Sequence, residues 1–430
     1  MIRTIASVMR GEGLPSAVRR TTERIEGAIR DAALRGRGLF AAITEAAILN
    51  VAASGASVRL GGVQTQLTTR LHVEKELRNV ALLQPAILET LTAGSHAQRR
   101  VANDLEAGIR DAIAITGANT VHFEGMHGVA LDGVLRLIAS GTDVIVSLHD
   151  FSLFCTRPHL LEEPVGHFCF YSQDLHRCHR CLSRTWNVDE NAQRDRRTLA
   201  RGILTSAKGV IFPSQFLLDQ HRHLFSLPEL AGEVIEPGVT AVRFDAQPVP
   251  RQAIAFAGSV KRHKGAHLIP ELARLLPNVD LHIFGGGDEE LFRAMRDIPN
   301  ISIHGYYRSG TLPSLLARHG IGLVIVPSIV PESFGLVLSE AWLAGAAIAA
   351  FDLGAPADRI RRDGGGWLAP LESGAAGLAT IAEQWMSGRI STTTPQAIAS
   401  PMDAAKTHVA FYRKINLRTS ASSADSFFRS

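Results

Sequence analysis

The fold is most evident in residues 321–351, IGLVIVPSIVPESFGLVLSEAWLAGAAIAAF. Apolar runs at 321–328 and 346–351 enclose a helix-length segment at 335–345, an alternation typical of a βα unit in a parallel sheet. Ligands of open α/β sheets bind beyond the carboxyl ends of the strands. Residues that follow the first run, Glu332 foremost, are therefore the first candidates for a functional site.

The same alternation of short apolar runs and longer segments continues in both directions from this unit. In the second half of the chain it predicts further strands at 253–258, 279–285, 301–305 and 366–370. In the first half it predicts strands at 48–54, 79–85, 120–125, 144–149 and 209–214. Two successive halves of this kind predict an α/β protein with two doubly wound, Rossmann-like domains that face a central cleft.

Composition changes along the chain predict the segment boundaries. The predicted segments are a basic helical arm (1–46), a first Rossmann-like domain (47–240), a proline-containing linker (240–252), a second Rossmann-like domain (253–400), a helix that crosses back to the first domain (401–418) and a disordered serine-rich tail (419–430).

The excess of positive charge lies mainly in the arm. The 430 residues carry a formal net charge of +4, and residues 1–40 contain eight arginines against four acidic residues. A nucleic-acid-binding protein would spread a basic stripe over its fold, so we expect no nucleic-acid partner. No run reaches the ~20 apolar residues that span a bilayer. We expect a cytoplasmic protein; the arm is either a peripheral contact with the inner membrane face or a solvated helix.

A glycine- and lysine-containing turn, GSVKRHKG, follows the first strand of the second half. Gly258 and Gly265 let backbone amides approach a ligand, and Lys261, Arg262 and Lys264 supply cations at the start of a helix, where anions bind favourably. The turn therefore predicts a diphosphate site. The alternative is an ordinary βα turn with surface lysines.

Two acidic residues flank the start of the helix at 335–345. Glu332 lies at the carboxyl edge of the sheet, and Ser333, Phe334, Gly335 and Leu336 place helix amides beside it. Glu340 lies further along an otherwise apolar segment, where a carboxylate needs hydrogen-bond donors. Sugar hydroxyls would supply them, whereas the alternative is a pair of solvated acids.

The run from Glu332 to Glu340 resembles the E-x7-E element of family-four retaining glycosyltransferases of the GT-B architecture. The agreement extends over 253–386 and includes the lysine–glycine turn at 264–265, the FGGGDEE loop at 284–290 and ISIHGY at 301–306, which ends in Tyr306. Where many relatives carry an arginine after the first glycine of the turn, this chain has Ser259. The second phosphate cation is therefore unassigned, with Lys261 and Arg262 as the candidates.

The first half resembles the family more loosely. Gly61 and Gly62 occupy the place of a glycine pair near the donor phosphate, and His149 with Asp150 stands at a strand end, as in relatives with a His-Asp sequence. The resemblance implies that His149 contacts the donor sugar, although a lone histidine is more often structural. The segments at 212–214 and 236–239 are similar to the elements that close the first domain.

The four cysteines of the chain fall within the loop predicted at 150–185. Cys155, Cys169, Cys178 and Cys181 end in a Cys-x2-Cys spacing, which in a reducing compartment indicates tetrahedral zinc rather than disulfides. The spare candidate ligands are His167, His176 and His179. The alternative is a loop with four free thiols.

The resemblance implies a retaining, hexosyltransferase-like enzyme of polysaccharide or glycolipid biosynthesis. It would move a sugar from a UDP- or GDP-type donor, bound by the second domain, to a glycan or lipid-linked acceptor bound by the first. Lys264 would stabilise the leaving diphosphate, Glu332 would bind sugar hydroxyls, and Glu340 would bind the ribose. Catalysis would require no cofactor, and zinc would be structural.

Two other functions use the same architecture. A sugar-nucleotide epimerase would turn over its donor without an acceptor. A catalytically silent scaffold would bind sugar nucleotides and recruit partners through the arm and the cysteine loop. The combination of Glu332, Glu340 and Lys264 argues against the silent scaffold, which has no need of all three.

Overall fold

The computed structural model describes residues 46–52, 62–240, 251–395 and 397–415. The predictions for the arm up to residue 45, for Gly61, for most of the linker and for the tail lie outside these residues. Two sheets organise the described chain, one in each half. None of the helices in the described ranges combines the length and the apolar character that crossing a bilayer requires.

The first half forms an eight-stranded sheet with the order β10-β9-β6-β5-β1-β2-β3-β4. Its strands are β1 (Ile48–Val51), β2 (Val80–Gln84), β3 (Ile87–Leu91), β4 (His96–Arg100), β5 (Thr120–Phe123), β6 (Asp143–Ser147), β9 (Gly209–Phe212) and β10 (Glu233–Val234), and a separate hairpin pairs β7 (Leu161–Glu162) with β8 (His167–Phe168). The helices of this half are α1 (Gly62–Glu74), α2 (Leu105–Thr116), α3 (Leu131–Ala139), α4 (Leu175–Leu182), α5 (Ala192–Ser206) and α6 (Gln215–Leu224).

The second half forms a six-stranded sheet in which every neighbouring pair is parallel. Its strands are β11 (Ala253–Ala257), β12 (Leu281–Phe284), β13 (Ile301–Gly305), β14 (Ile321–Val326), β15 (Ala347–Phe351) and β16 (Gly366–Ala369). Its helices are α7 (Ile269–Leu275), α8 (Glu289–Arg296), α9 (Leu312–Arg318), α10 (Leu336–Leu343), α11 (Gly354–Asp363) and α12 (Gly374–Met386). The order β13-β12-β11-β14-β15-β16 is the doubly wound Rossmann order.

The apolar runs of the sequence form strands because helices cover both faces of these sheets. All six residues of β14 are buried, and side chains on its two faces belong to separate hydrophobic clusters, with Leu323 and Ile325 in one and Val324 in the other. A strand buried on both faces has no polar side and therefore reads as a continuous apolar run. The predicted fold class, α/β with two doubly wound domains, is confirmed.

The first sheet is extended by a hairpin that the apolar pattern did not predict. Strands β3 and β4 pair antiparallel at the outer edge beyond β2. In β4, His96, Arg99 and Arg100 are exposed, so the strand contains no apolar run. Charged residues on an edge strand disfavour pairing with another chain, and the same residues conceal the strand in the sequence.

A last helix, α13 (Pro401–Lys414), returns to the first domain. Its start is stabilised by a capping box in which the Ser400 hydroxyl accepts a hydrogen bond from the Asp403 amide and the Asp403 carboxylate accepts one from the Ser400 amide. It packs against α1, and its Tyr412 ring is fully buried there. The helix therefore joins the end of the second half to the first domain at the back of the cleft.

Candidate active site

A cleft of about 410 Å³ lies between the two sheets at the carboxyl ends of their central strands. The first half contributes Arg70, Glu124 and His149 to its lining, among others. The second half contributes the larger share, which includes Gly258, Ser259, Lys264, Gly285, Gly286, Tyr306, Tyr307, Glu332, Ser333, Phe334, Gly335, Leu336 and Glu340. Residues far apart in the sequence thus meet at one edge of the second sheet.

Lys264 and Glu332 form an ion pair within the cleft. The Lys264 Nζ lies 2.9 Å from Glu332 Oε2, and the Ser328 hydroxyl donates a hydrogen bond to Glu332 Oε1. Lys264 ends a short 3-10 turn, and Gly265 follows with φ of 74°. A Cβ at Gly265 would lie 1.8 Å from the carbonyl oxygen of Pro327, so the lysine turn packs directly on the backbone before Glu332. The two motifs are held together by this contact.

The surroundings of Glu332 keep its carboxyl ionised. Burial opposes ionisation, but the Lys264 ammonium and the Ser328 hydroxyl outweigh it, and the pKa of Glu332 lies below its ordinary value. The carboxylate holds the ammonium in the cleft, where a diphosphate would meet a positioned cation.

Glu340 occupies a different environment on α10. Burial raises the pKa of its carboxyl to about 7. The pKa of Tyr307 is also raised, first by burial and then by the negative charge of Glu340. Because ionisation of this buried carboxyl is costly, hydrogen-bond donors on a ligand would stabilise its charged form.

The loop before α10 is fixed by contacts with both domains. Gly335 is left-handed with φ of 79° and caps the start of the helix, and Gly335 and Leu336 both line the cleft. Arg359 of α11 lies over the Phe334 ring at 3.9 Å, and its guanidinium donates hydrogen bonds to Gly335 O at 3.1 Å and to Ser339 Oγ at 2.7 Å. This buried arginine holds the entrance to α10 in place.

Ser333 links the same loop to the first domain. Its hydroxyl donates a hydrogen bond to the carbonyl oxygen of His149 at 2.5 Å, and the Ser214 hydroxyl donates one to the Ser333 carbonyl oxygen at 2.6 Å. Two strand ends of the first sheet therefore contact the loop that carries Glu332. The geometry suits an elongated ligand with an anionic centre at Lys264 and hydroxyl groups at Glu332 and Glu340.

Comparison with known proteins relates the second half of the chain to a glycosyltransferase family. Residues 251–387 match the family model described as Glycosyl transferases group 1. They form a group 1 glycosyltransferase domain. The predicted resemblance is confirmed at this level, and the matched range includes Gly258, Lys264, Glu332 and Glu340. A comparison with curated proteins found no match.

Solved structures extend the likeness to nearly the whole chain. Sucrose-phosphate synthase from Thermosynechococcus elongatus is similar with a TM-score of 0.61 and 16% identity, over 87% of this chain and 99% of that chain. HepE of Anabaena in complex with UDP has a TM-score of 0.53 and 16% identity, over 86% and 97%. AviGT4, a glycosyltransferase involved in avilamycin A biosynthesis, has a TM-score of 0.53 and 17% identity, over 86% and 98%. At these identities the likeness establishes the fold, which is that of GT-B glycosyltransferases.

The three cationic side chains of the predicted phosphate turn do not all reach the cleft. Lys264 lines the cleft, whereas Lys261 and Arg262 do not. Arg262 Nε donates a hydrogen bond to Gly166 O of the first domain, 3.2 Å away. Ser259 lines the cleft at the place of the family's arginine. The donor-binding roles of Lys261 and Arg262 stay predictions.

A buried charge network that the sequence did not reveal faces the group 1 glycosyltransferase domain from the first domain. Arg70 of α1 forms an ion pair with Glu124 after β5, and Glu74 lies 3.4 Å from Arg70 Nε. His122 Nδ1 lies 2.8 Å from the Tyr412 hydroxyl and 3.2 Å from Glu124 Oε1. Only Lys264 and Arg70 bring lysine or arginine charges to the cleft among the described residues, and tertiary contacts alone place Arg70 there.

Of the residues predicted for the donor site in the first domain, one lines the cleft and one lies outside the described residues. His149 lines the cleft, and burial lowers its pKa, which favours a neutral imidazole. Gly62 is the first residue of α1, and Gly61 before it lies outside the described residues. The contacts of His149 and of this glycine pair with a donor stay predictions.

The four cysteines converge on one small cavity beside the hairpin of β7 and β8. Cys155, Cys169, Cys178 and Cys181 all line it. The amide of Arg157 donates to Cys155 Sγ at 3.4 Å, and the amide of Glu163 donates to Cys181 Sγ at 3.3 Å. Zinc at this quartet stays a prediction. The metal-ligand group that the described residues bring within 4.8 Å consists of three histidines elsewhere.

Proposed function

We propose that this glycosyltransferase is a retaining enzyme that moves a hexose from a UDP-type donor to a glycan or lipid-linked acceptor. The observation that carries the proposal is the Lys264–Glu332 ion pair, 2.9 Å across, at the entrance to α10. One cation for a diphosphate and one carboxylate for sugar hydroxyls stand side by side at the carboxyl edge of the sheet. This matches the charge pattern of a nucleotide-sugar, whose anionic diphosphate adjoins its sugar.

The proposed orientation of the nucleotide-sugar in the cleft rests on the positions of Glu332 and Glu340. Glu340 lies on α10 beyond Glu332, so a nucleotide with its ribose at Glu340 would extend its diphosphate past the first amides of α10 toward Lys264. Its sugar would then lie at Glu332 and face His149 across the cleft. HepE, which shares the fold, is described in complex with UDP and with UDP-glucose, which supports the UDP-type donor over the GDP-type alternative.

In the proposed reaction, the bond between the anomeric carbon and the diphosphate oxygen breaks as the acceptor oxygen bonds to the same face of that carbon. Negative charge develops on the leaving diphosphate, which Lys264 and the amides at the start of α10 would stabilise. The acceptor hydroxyl gives its proton to an oxygen of the leaving phosphate. Glu332 both binds sugar hydroxyls and positions the Lys264 ammonium.

Calorimetric titration with UDP and with uridine tests the donor site. Lys264→Ala should weaken UDP binding by about 10- to 150-fold, the effect of losing a charged partner worth roughly 1.5–3 kcal/mol. Uridine, which lacks phosphate, should bind nearly as well as it does to the wild type. Lys406→Ala, which removes an exposed lysine of α13, is the matched control.

Lys261→Ala shows which lysine of the turn carries the effect. Because Lys261 is exposed and does not line the cleft, we expect a much smaller loss of UDP affinity than for Lys264→Ala. Wild-type UDP affinity in Lys264→Ala would refute the donor site. Conversion of a UDP-sugar to its epimer without an acceptor would favour the epimerase instead.

A further inference from the structure

Three histidines from separate elements meet at the edge of the second sheet. His282 belongs to β12, His304 to the edge strand β13, and His319 follows α9. One ring nitrogen from each lies within 4.8 Å of the other two. The ring centroids are 4.4 to 5.2 Å apart in the three pairs. The cluster was not predicted, because its members are 15 to 37 residues apart in the sequence.

The three nitrogens lie near enough to one another for small ring movements to bring them onto one metal ion. Two nitrogens that each lie about 2.0–2.1 Å from a tetrahedral zinc ion are roughly 3.3 Å from each other. His282 Nδ1 and His304 Nε2 are 2.8 Å apart, so a small separation of the two rings would admit an ion. This contact requires one nitrogen without a proton, and a deprotonated nitrogen is the form of imidazole that binds metals.

The surroundings of the cluster favour a metal site over mutual histidine packing alone. The Phe284 ring stacks on His304 at 4.5 Å and forms an apolar floor, while His304 itself is exposed. An ion could therefore enter from solvent and keep a water as its fourth ligand.

We propose that His282, His304 and His319 bind a divalent transition metal of the zinc type. The ion is structural: it joins the edge strand β13 to β12 and to the end of α9. Imidazole ligands select zinc, nickel or copper over magnesium and calcium, which prefer oxygen. None of the three histidines lines the donor cleft, so the site is separate from the proposed reaction.

Calorimetric titration of untagged, chelator-treated protein with Zn²⁺ tests the site. Wild-type protein and His223→Gln, which removes an exposed histidine of α6, should bind zinc at this site with equal affinity. His304→Gln and His319→Gln should each weaken it by tenfold or more, since even losing an outer partner of a ligand reduces metal affinity by about 10- to 100-fold. Zinc should also raise the melting temperature of the wild type more than that of either variant. Equal zinc binding and equal melting shifts in all four proteins would overturn the proposal.

The absorption spectrum of Co²⁺ bound to wild-type protein distinguishes this site from the cysteine quartet. The measurement does not depend on whether a variant folds. A histidine site gives visible d–d absorption, whereas cysteine ligation adds a thiolate-to-metal charge-transfer band in the near ultraviolet. The proposal predicts a Co²⁺ component without the charge-transfer band, and His304→Gln should lose that component alone. A spectrum whose every component carries the charge-transfer band would overturn it.

Discussion

Glu340 provides a test that links stability to ligand binding. The ordinary pKa of this carboxyl is 4.5, and burial raises the pKa of Glu340 to about 7. Below pH 4.5 the carboxyl is protonated in folded and unfolded chains alike, so it does not affect stability. Between pH 4.5 and 7 the unfolded chain ionises first, and the penalty for the folded state grows until it is complete above pH 7.

The size of this penalty follows from the pKa difference. Each tenfold change in the acid constant is worth about 1.4 kcal/mol, so ionised Glu340 destabilises the empty fold by about 3 kcal/mol at pH 8 and by less than about 1 kcal/mol at pH 5. Glu340→Gln removes the ionisable group and keeps the shape. We therefore expect the variant to be more stable than the wild type, and increasingly so as the pH rises.

Urea unfolding followed by tryptophan fluorescence measures this effect. Three of the four tryptophans, Trp342, Trp367 and Trp385, lie in the second domain and report its unfolding. The control is Glu383→Gln, which removes an exposed carboxyl of α12. A stability difference between Glu340→Gln and the wild type that is the same at pH 5 and pH 8 would refute the burial argument.

The same substitution should have the opposite effect on the ligand. If Glu340 accepts hydrogen bonds from the ribose, Glu340→Gln should bind UDP about 10- to 150-fold more weakly at pH 8, although it is more stable when empty. A variant that gains stability and keeps full UDP affinity would show that Glu340 has no role in binding.

Two other predictions concern Glu332 and the cysteines. Glu332→Gln should remove most sugar transfer but lower UDP affinity less than Lys264→Ala does, because Lys264 keeps its charge when its ion-pair partner becomes neutral. Calorimetry and turnover with a UDP-sugar measure the two effects. A loss of UDP affinity as large as in Lys264→Ala, with transfer retained, would contradict the assigned role. If the four cysteines hold structural zinc, elemental analysis of Cys178→Ser should show less metal than the wild type, and proteases should cleave the hairpin of β7 and β8 more readily in the variant. Metal-free wild-type protein with four readily alkylated thiols would reject the site.

Most strands of the second domain were predictable because its central strands, β11, β14 and β15, are buried on both faces. Each strand of this domain except the exposed edge strand β13 corresponds to an apolar run of the sequence, and the glycines and acids of the site follow such runs directly. Local patterns therefore located Lys264, Glu332 and Glu340. They also indicated that these side chains lie at one edge of a parallel sheet, because all parallel strands end on the same side.

Other features depend on contacts between distant parts of the chain. Arg70 enters the cleft because Glu124 and Glu74 hold it there, and Arg359 supports α10 from a helix that begins only later. Neither arginine belongs to a recognisable local pattern. The strand β4 was missed for the opposite reason, because its exposed polar residues resemble a loop.

The sequence by itself determined the fold class, the order of most strands along the chain and three residues of the second domain that line the cleft, Lys264, Glu332 and Glu340, because burial and turn formation leave periodic and local signals. Only the tertiary structure decided which of the clustered cations enters the cleft, how Ser333 joins the two domains and which side chains could share a metal ion. The cysteines are close in the sequence but bring no three ligand atoms within 4.8 Å of one another, whereas three histidines on separate elements do. Proximity of ligand atoms depends on strand register and helix packing, and spacing along the chain does not encode either one.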